Sequence, residues 1–400
     1  MPRCLIYNPY FAVLGGGERY TVALGAAISR SHDVVYAAPF PPDRELAQRL
    51  GFPPFEVMHM TQAAFSRSSA DFDLAVVVTL EVPPATFATR NLAVVQFPMT
   101  TLGDGSRAGR RRDRSRLAQY HCVTYSRFVR EWIRRRWDVD ADVVMPSCEL
   151  APEEPGQKEN LVLAVGRFLA RETDQWNSKR QDVMIAAFSE LPDHLRGSWR
   201  LVLAGGAAPS RDIDRFVAHL RERAEGLPIT IEVNVPARRL AELQRKARFF
   251  WHASGYERPD DRPEQTEHFG ISTVEAMSHG AIPLVYADGG QPEIVDTSFG
   301  RLWHTIPELV EQTAALMETP PAELDRMGIA ARRASMRFGT ERFDAEVDAL
   351  LERVGALRWA QSFGGRAARR LNRYRRHALA ASHHRRHGDR QDDVSSAFRA

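Results

Sequence analysis

The chain has 400 residues, 44% of them hydrophobic, which is enough to fill the cores of two domains of ordinary size. Its formal net charge of +3 is uneven, because residues 358–400 carry 11 arginines and 3 aspartates while the remainder is slightly acidic. The 3 cysteines are too far apart for a metal site or a disulfide framework, which favours a reducing compartment. No run approaches the roughly 20 apolar residues of a membrane span and no signal peptide is recognisable. We therefore expect a cytoplasmic protein, at most peripheral on the inner face of a membrane.

Short apolar runs alternate with amphipathic stretches along most of the chain. In the N-terminal part the pattern predicts, in order, a strand at 4–7, a helix at 18–29, and strands at 33–37, 74–79, 93–97 and 121–125. A charged, proline-containing stretch at 151–159 breaks the pattern and is the best linker candidate. The pattern then predicts a strand at 161–165, a helix at 180–190, a strand at 200–204, a helix at 213–224, a strand at 229–233, and further elements at 249–252, 273–278 and 282–286.

These runs predict the fold class. Apolar, β-branched strands without alternation are typical of sheets covered on both faces, and the order strand, helix, strand implies parallel pairing. We therefore predict an α/β protein with two Rossmann-like domains that face each other across a cleft. The predicted parts are an acceptor-side domain at 1–150, a donor domain at 151–335, a helix within 336–357 that packs back toward the N-terminal domain, and a basic tail at 358–400.

The first motif is Gly15-Gly16-Gly17-Glu18-Arg19, between the first strand and the first helix. Glycines at such a turn let a ligand approach the backbone, and the helix N-terminus that follows suits a phosphate. A flexible turn without a ligand is an equally good interpretation. A dinucleotide-binding fingerprint is disfavoured, because the G-x-G-x-x-G spacing is absent and no acidic residue ends the second strand.

Two cations form the second motif. Arg167 follows the strand at 161–165, and Lys179 lies twelve residues later, near the start of the next helix. Together they could stabilise the negative charge of a diphosphate leaving group without a metal. For an isolated pair of this kind, two solvated surface cations are the better interpretation.

The third motif changes that balance. Glu267 and Glu275 are eight residues apart, the first in a loop and the second in a predicted helix. Residues 269–271 offer backbone N–H groups at the start of that helix, and a Gly-Gly turn follows at 289–290. Two carboxylates placed on either side of a helix N-terminus could hold two ends of one ligand.

These motifs resemble the retaining GT-B glycosyltransferases of family 4, whose donor site carries a Glu-x7-Glu motif followed by a Gly-Gly turn. Within the family they are nearest to the GDP-mannose-dependent mannosyltransferase of lipid-linked oligosaccharide synthesis. The likeness covers about residues 5–354 and is denser in the C-terminal domain. It rests on the three motifs given above together with Pro9-Tyr10, Val165-Gly166-Arg167-Phe168 and Glu267-His268-Phe269-Gly270-Ile271.

The resemblance implies roles for these residues. Arg167 and Lys179 would bind the donor diphosphate, Glu267 would contact the transferred sugar, and Glu275 would bond the ribose. The other implied donor-binding residues are Phe269, Gly270 and Ile271 and, in the N-terminal domain, Gly16 and Gly17. The implied reaction moves a hexose, with mannose favoured, from GDP-mannose or a UDP-hexose to a hydroxyl of a glycan or lipid-linked acceptor. It retains the anomeric configuration by front-face attack and needs no cofactor and no metal.

Two departures from the family pattern stand out. Gln96 occupies a position where many relatives have histidine; it could contact an acceptor or sugar hydroxyl but could not act as an acid or base. Residues 257–266 look inserted before Glu267, which we choose over Glu257 because only Glu267 has the right spacing to Glu275. We expect Glu267 in an exposed cleft loop.

Arginine-rich segments suggest a further partner. Six arginines lie within 107–116, more lie within 127–137, and the tail has apolar residues at near-helical spacing among its arginines. Such segments can lie on anionic membranes, although a solvated charge run is nearly as good an interpretation. Nucleic-acid binding is less favoured, because no recognition motif accompanies them. The alternatives to an active transferase are a non-catalytic sugar-nucleotide or glycan-binding scaffold and a GT-B epimerase.

Overall fold

The structure is a computed structural model that describes residues 1–103, 105–151, 156–169 and 178–355. The predicted basic tail at 358–400 and part of the predicted linker lie outside the described residues. The chain divides into two compact units. One comprises Met1–Ser147 together with the described residues from Glu341 onward, and the other comprises Cys148–Thr340.

The first unit contains a parallel sheet of seven strands among its described residues, in the order β3-β2-β1-β4-β5-β6-β7. The strands are β1 (Arg3–Tyr7), β2 (Asp33–Ala38), β3 (Val57–His59), β4 (Leu74–Thr79), β5 (Arg90–Val95), β6 (His121–Thr124) and β7 (Asp142–Val143). The helices are α1 (Gly16–Ser29), α2 (Arg44–Arg49), α3 (Gln62–Ser68), α4 (Arg107–Leu117) and α5 (Arg127–Trp137). All six residues of β4 are buried, as expected for a central strand covered on both faces.

Helix α5 shows how local sequence positions the elements of this unit. Ser126 caps the helix, because its hydroxyl accepts a hydrogen bond from the Val129 amide. The buried residues Val129, Ile133 and Trp137 repeat every four positions and face the core. The indole of Trp137 also donates to the Thr100 carbonyl at 2.7 Å, which fixes the loop that follows β5.

The second unit contains a parallel sheet of six strands among its described residues, in the order β10-β9-β8-β11-β12-β13. The strands are β8 (Glu159–Val165), β9 (Arg200–Gly205), β10 (Ile229–Val233), β11 (Ala247–His252), β12 (Ile282–Tyr286) and β13 (Arg301–Trp303). The helices are α6 (Gln181–Ser189), α7 (Asp193–Arg196), α8 (Arg211–Arg223), α9 (Ala237–Lys246), α10 (Ile271–Ser278), α11 (Ile306–Met317) and α12 (Pro321–Ser335). Both sheets are therefore of the predicted Rossmann-like kind.

The last described helix, α13 (Thr340–Arg353), packs on the first unit. The ring of Phe343 meets that of Tyr20 edge-on with 5.6 Å between centroids, and Arg353 pairs with Asp142 at 2.9 Å. The predicted helical segment at 336–357 begins differently, with a 3₁₀ turn at Met336–Phe338 before α13 starts. None of the described helices is both long and apolar enough to cross a bilayer.

Candidate active site

The carboxyl ends of β8 and β9 approach each other unusually closely, and two glycines allow it. A Cβ on Gly205 would lie 1.9 Å from the carbonyl oxygen of Gly166, so only glycine fits there. A Cβ on Gly166 would lie 2.6 Å from Cγ of Lys179, so the lysine stem crosses directly over this glycine. The glycines thus guide the Lys179 ammonium to the carboxyl edge of the sheet, where ligands of open parallel sheets bind.

Lys179 and Glu267 form an ion pair at this edge. The ammonium donates to Oε2 of Glu267 at 2.6 Å, and each side chain is 18% exposed. The expectation that Glu267 lies exposed in a loop is therefore wrong: the residue is in a loop, but its carboxylate is largely covered. Its other oxygen, Oε1, accepts none of the hydrogen bonds made by the described residues and is available to a ligand.

His252 completes the cluster and was missed by sequence reasoning. It is the last residue of β11, is 4% exposed, and has Nε2 at 3.0 Å from Oε2 of Glu267. The signal was present in the sequence, because a polar residue follows the aromatic run Phe249-Phe250-Trp251 at the end of the strand. A buried polar group at the carboxyl end of a central strand is a candidate site residue.

Electrostatics keeps Glu267 ionised. Burial by itself would raise the pKa of this carboxyl, but the Lys179 ammonium and the hydrogen bond from His252 outweigh burial and hold the pKa well below its usual range. Burial lowers the pKa of His252, against the opposing effect of Glu267. Glu267 is therefore an acceptor-only carboxylate, suited to hold a hydroxyl and unsuited to act as a general acid.

The N-terminus of α10 follows directly on this cluster. Gly270 is its N-cap with a φ of +122°, a value that L side chains rarely adopt. Phe269 is 3% exposed and packs edge-on against Phe338, while Ile271 begins the helix. The first N–H groups of an α-helix have no intrahelical partner and face incoming negative charge. Glu275 lies on the same helix and is half-buried.

The Gly-Gly turn holds the backbone of Glu267. The Gly290 amide donates to the Glu267 carbonyl at 2.8 Å. A Cβ on Gly289 would lie 2.1 Å from that same carbonyl oxygen, and its φ is +64°. Residues 257–266 reach this turn as well, because Arg258 pairs with the neighbouring Asp288 at 2.6 Å. The turn and this stretch together restrain the loop that carries Glu267.

Arg167 is placed differently from Lys179. Its side chain is exposed, and its carbonyl accepts a hydrogen bond from the Gln181 side chain at 3.0 Å. The structure therefore brings Lys179 to Glu267, whereas the Arg167 guanidinium, just beyond β8, makes no hydrogen bond or ion pair with another described residue.

In the first unit, Gly17 and Gln96 lie against each other. Gly15 is the N-cap of α1, and its amide donates to the Glu18 carboxylate at 2.8 Å, while Gly16 begins the helix. A Cβ on Gly17 would lie 2.3 Å from Nε2 of Gln96. That amide nitrogen is buried. Gly17 and Gln96 thus meet at the carboxyl edge of the first sheet, and Gly16 precedes them at the start of α1.

The arginine-rich segments of the first unit are helical. Five arginines of α4 have exposed side chains: Arg107, Arg110, Arg111, Arg112 and Arg114. On α5, Arg135 and Arg136 lie over the ring of Trp132 at 5.2 Å. Among the described residues, no group of three or more histidine, cysteine, aspartate or glutamate side chains is arranged to hold a metal ion.

Comparison with known protein families identifies the family of the segment that contains this site. Residues 149–334, which include Arg167, Lys179, Glu267 and Glu275, match the sequence family described as "Glycosyl transferases group 1". This segment belongs to that family. The resemblance to glycosyltransferases is confirmed for this segment, which contains the second and third motifs.

Among curated proteins, the chain is similar to the GDP-Man:Man(3)GlcNAc(2)-PP-Dol alpha-1,2-mannosyltransferase of Xenopus laevis. The two are 26% identical over 222 residues, which is 51% of this chain and 42% of the relative. The Dictyostelium discoideum protein of the same name is 23% identical over 57% of this chain and 45% of its own length. The chain thus matches less than half of the length of these relatives.

Solved structures show the fold. Alr3699/HepE of Anabaena, crystallised with UDP and glucose, superposes with a TM-score of 0.63 at 15% identity, over 88% of this chain and all of that one. WaaG, a glycosyltransferase involved in lipopolysaccharide biosynthesis, superposes with a TM-score of 0.59 at 15% identity, over 86% and 99% of the two chains. The predicted α/β GT-B fold is confirmed.

Proposed function

We propose that this protein is a retaining glycosyltransferase that moves a hexose from a nucleotide diphosphate sugar to a hydroxyl of a glycan or lipid-linked acceptor. The observation that carries the proposal is the cluster of Lys179, Glu267 and His252 beside the N-terminus of α10, within a glycosyl transferases group 1 domain. Mannose is favoured by the names of the Xenopus and Dictyostelium relatives. A UDP-hexose stays a candidate because HepE was crystallised with UDP and glucose.

The chemistry assigned to the cluster needs two fixed charges. Lys179 has three N–H donors and uses one for the hydrogen bond to Glu267. The other two, together with the exposed guanidinium of Arg167, are available to diphosphate oxygens. Oε1 of Glu267 would accept a hydrogen bond from a hydroxyl of the transferred sugar. In this proposal Glu275 bonds the ribose, and the amides near Gly270 lie against sugar and phosphate.

The bond changes follow from these placements. The bond between C1 of the sugar and the phosphate oxygen breaks, and negative charge develops on the diphosphate near Lys179 and Arg167. The acceptor hydroxyl attacks C1 from the same face and gives its proton to the leaving phosphate. Because Glu267 stays ionised and is paired, it orients the sugar and takes no part in the proton transfer.

Donor binding and hydrolysis test the proposal. Calorimetric titration with GDP, UDP and ADP, followed by hydrolysis assays with GDP-mannose and UDP-glucose, should show one nucleotide preferred and its sugar slowly hydrolysed. Binding without any hydrolysis or transfer would favour the non-catalytic scaffold. Conversion of the donor sugar to its epimer would favour the epimerase. Absence of binding to all three nucleotides would refute the transferase proposal.

We further propose that the first unit docks on anionic membranes through α4 and α5, which carry exposed arginines and a half-buried Trp132. Each arginine near such a surface contributes about 1 kcal/mol to the free energy of membrane binding. Replacing Arg107, Arg110, Arg111 and Arg114 by glutamine should weaken flotation with phosphatidylglycerol vesicles. The matched control replaces four exposed arginines on α8: Arg211, Arg215, Arg221 and Arg223. An equal loss of flotation in both variants would show that the binding depends only on net charge.

A further inference from the structure

A small cavity lies behind the cluster, between the carboxyl ends of three strands and the first turn of α6. The space in it that the centre of a water molecule can occupy is about 10 Å³, and its lining includes Gly166, Lys179, Gln181, Trp251 and His252. That room corresponds to roughly one water molecule. The cavity therefore borders both the Lys179 stem and the His252 ring.

Three residues that line this cavity carry a buried polar atom with no hydrogen-bond partner among the described residues. The atoms are Nδ1 of His252, Oε1 of Gln181 and Nε1 of Trp251. Leaving one such group unsatisfied costs roughly 1 to 3 kcal/mol, so three around one cavity indicate that something polar fills it.

The hydrogen-bonding roles of these atoms can be assigned. Because the Glu267 carboxylate only accepts, His252 must carry its proton on Nε2, which leaves Nδ1 as an acceptor in the neutral ring. Oε1 of Gln181 is also an acceptor, and the indole N–H of Trp251 is a donor only. Two acceptors and one donor are what a single water molecule satisfies, with three hydrogen bonds, the usual number for buried water.

Gln181 extends this chain to the other side of the site. Its Nε2 donates to the carbonyl of Arg167 at 3.0 Å, and it is the first residue of α6. Its two ends thus face the backbone of one donor-site residue and the cavity next to His252. His252 in turn bonds the carboxylate of Glu267.

We propose that one ordered water fills this cavity, donating to His252 and Gln181 and accepting from Trp251, and that His252 is thereby a positioning residue for Glu267. Hydrogen bonds then run from the Arg167 carbonyl through Gln181, the water and His252 to Glu267. They link the backbone that presents the phosphate-binding arginine to the carboxylate that orients the sugar. The catalytic part of this inference rests on the proposed function; the water and the histidine tautomer do not.

The structural half is tested without any donor. A crystal structure of the full chain at high resolution should show one water within hydrogen-bond distance of His252 Nδ1 and Gln181 Oε1. Nitrogen-15 spectra, with the His252 signal identified from the His252→Gln variant, should show a neutral ring protonated on Nε2. An empty cavity, or a proton on Nδ1, would overturn the proposal even if the enzyme turns over donor.

The functional half compares matched variants. His252→Phe, which keeps the ring shape but cannot donate, should lower kcat roughly 10- to 100-fold with little change in nucleotide affinity, as expected for a misplaced catalytic group. His252→Gln keeps a donor for Glu267 and should retain most of kcat. Equal kcat for the Phe variant and the wild type would refute the positioning role.

A control separates positioning from stability. In α11, Gln312 has the same pattern as Gln181, with Nε2 bonded to a backbone carbonyl and a buried Oε1 without a partner among the described residues. Gln181→Leu and Gln312→Leu should lower the melting temperature similarly, but only Gln181→Leu should lower kcat. An equal loss of kcat in both would show a merely structural role. If wild type turns over no donor at all, the proposed function fails while the structural test still decides the water.

Discussion

The ammonium of Lys179 lies 2.6 Å from Oε2 of Glu267, although 88 positions separate the two residues in the sequence. Both side chains are largely buried. Removing one charge alone would therefore leave the other without a partner in a poorly solvated environment. The same contact fixes the place of a cation for phosphate and of a carboxylate for sugar hydroxyls. Stability and the proposed catalysis therefore depend on one ion pair.

The first prediction concerns this pair. Lys179→Met or Glu267→Gln alone should lower the free energy of unfolding by up to about 3 kcal/mol, because each leaves a charge without its partner. The double variant should be more stable than the less stable of the two single variants. Donor hydrolysis should be lost in all three variants. Urea unfolding and hydrolysis rates measure both. As a control, Arg215→Met removes an exposed pair with Asp212 and should change stability by less than about 1 kcal/mol.

The second prediction concerns the Gly-Gly turn. Gly289→Ala combines a positive φ with a Cβ only 2.1 Å from the Glu267 carbonyl oxygen, so the turn must move. Gly226→Ala is the matched control, since its φ is +74° but its Cβ would meet nothing within 4 Å. The control should cost about 1 to 2 kcal/mol from backbone strain alone. Gly289→Ala should cost clearly more and should lower donor affinity; equal costs in urea unfolding would contradict this account.

The third prediction concerns the contact between Gly17 and Gln96. Gly17→Ala should destabilise the first unit by about 1 to 3 kcal/mol, because the new methyl group meets the glutamine amide. Adding Gln96→Ala should remove the clash, and alanine is the better helix former at this position of α1. The double variant should therefore be at least as stable as Gln96→Ala alone in thermal unfolding. If the double variant is less stable than Gln96→Ala alone, the destabilisation by Gly17→Ala does not come from the contact with Gln96.

The fourth prediction concerns acid sensitivity. Burial, followed by the positive charges of Lys158, Arg332 and Arg245, lowers the pKa of His279 to about 4. The unfolded histidine titrates near pH 6.5, so on acidification the unfolded state binds its proton first. This residue therefore costs no stability above about pH 6.5 and removes up to about 1.4 kcal/mol per pH unit between there and pH 4.

The variant that tests this is His279→Gln, whose free energy of unfolding should fall less steeply between pH 6.5 and 4.5 than that of the wild type. His219→Gln, at a side chain that is 59% exposed, is the matched control for replacing a histidine by glutamine. Parallel pH profiles for wild type and His279→Gln would show that the residue is not held neutral in the fold.

The fifth prediction concerns metal dependence. Two cations, Lys179 and Arg167, are assigned to the developing charge of the diphosphate, so hydrolysis should be unchanged after dialysis against EDTA. Loss of activity restored by Mg²⁺ or Mn²⁺ would contradict the proposed metal-free mechanism. Measuring nucleotide affinity with and without the metal would then show whether the ion acts on binding or on turnover.

Much of the fold could be read from local patterns. The apolar run of β4 and the apolar run at 161–165 in β8 predicted buried parallel strands, because both are short and rich in aliphatic residues, as buried strands are. Short edge strands such as β3 and β13, with three residues each, were missed because they carry too little pattern. The spacing of Glu267 and Glu275 and the Gly-Gly turn were recognisable because both are local features of the chain.

The partners of these residues were not readable in the same way. Glu267 was expected in an exposed loop, and its burial follows from Lys179 and from His252, which different strands and helices bring to one edge of the sheet. Residue type and spacing determine which segments are extended, which turn, and where glycine is required, because those properties depend on neighbours in the chain. Which side chains meet, and hence which charges are stabilised, depends on strand order, and strand order joins residues that the sequence keeps far apart.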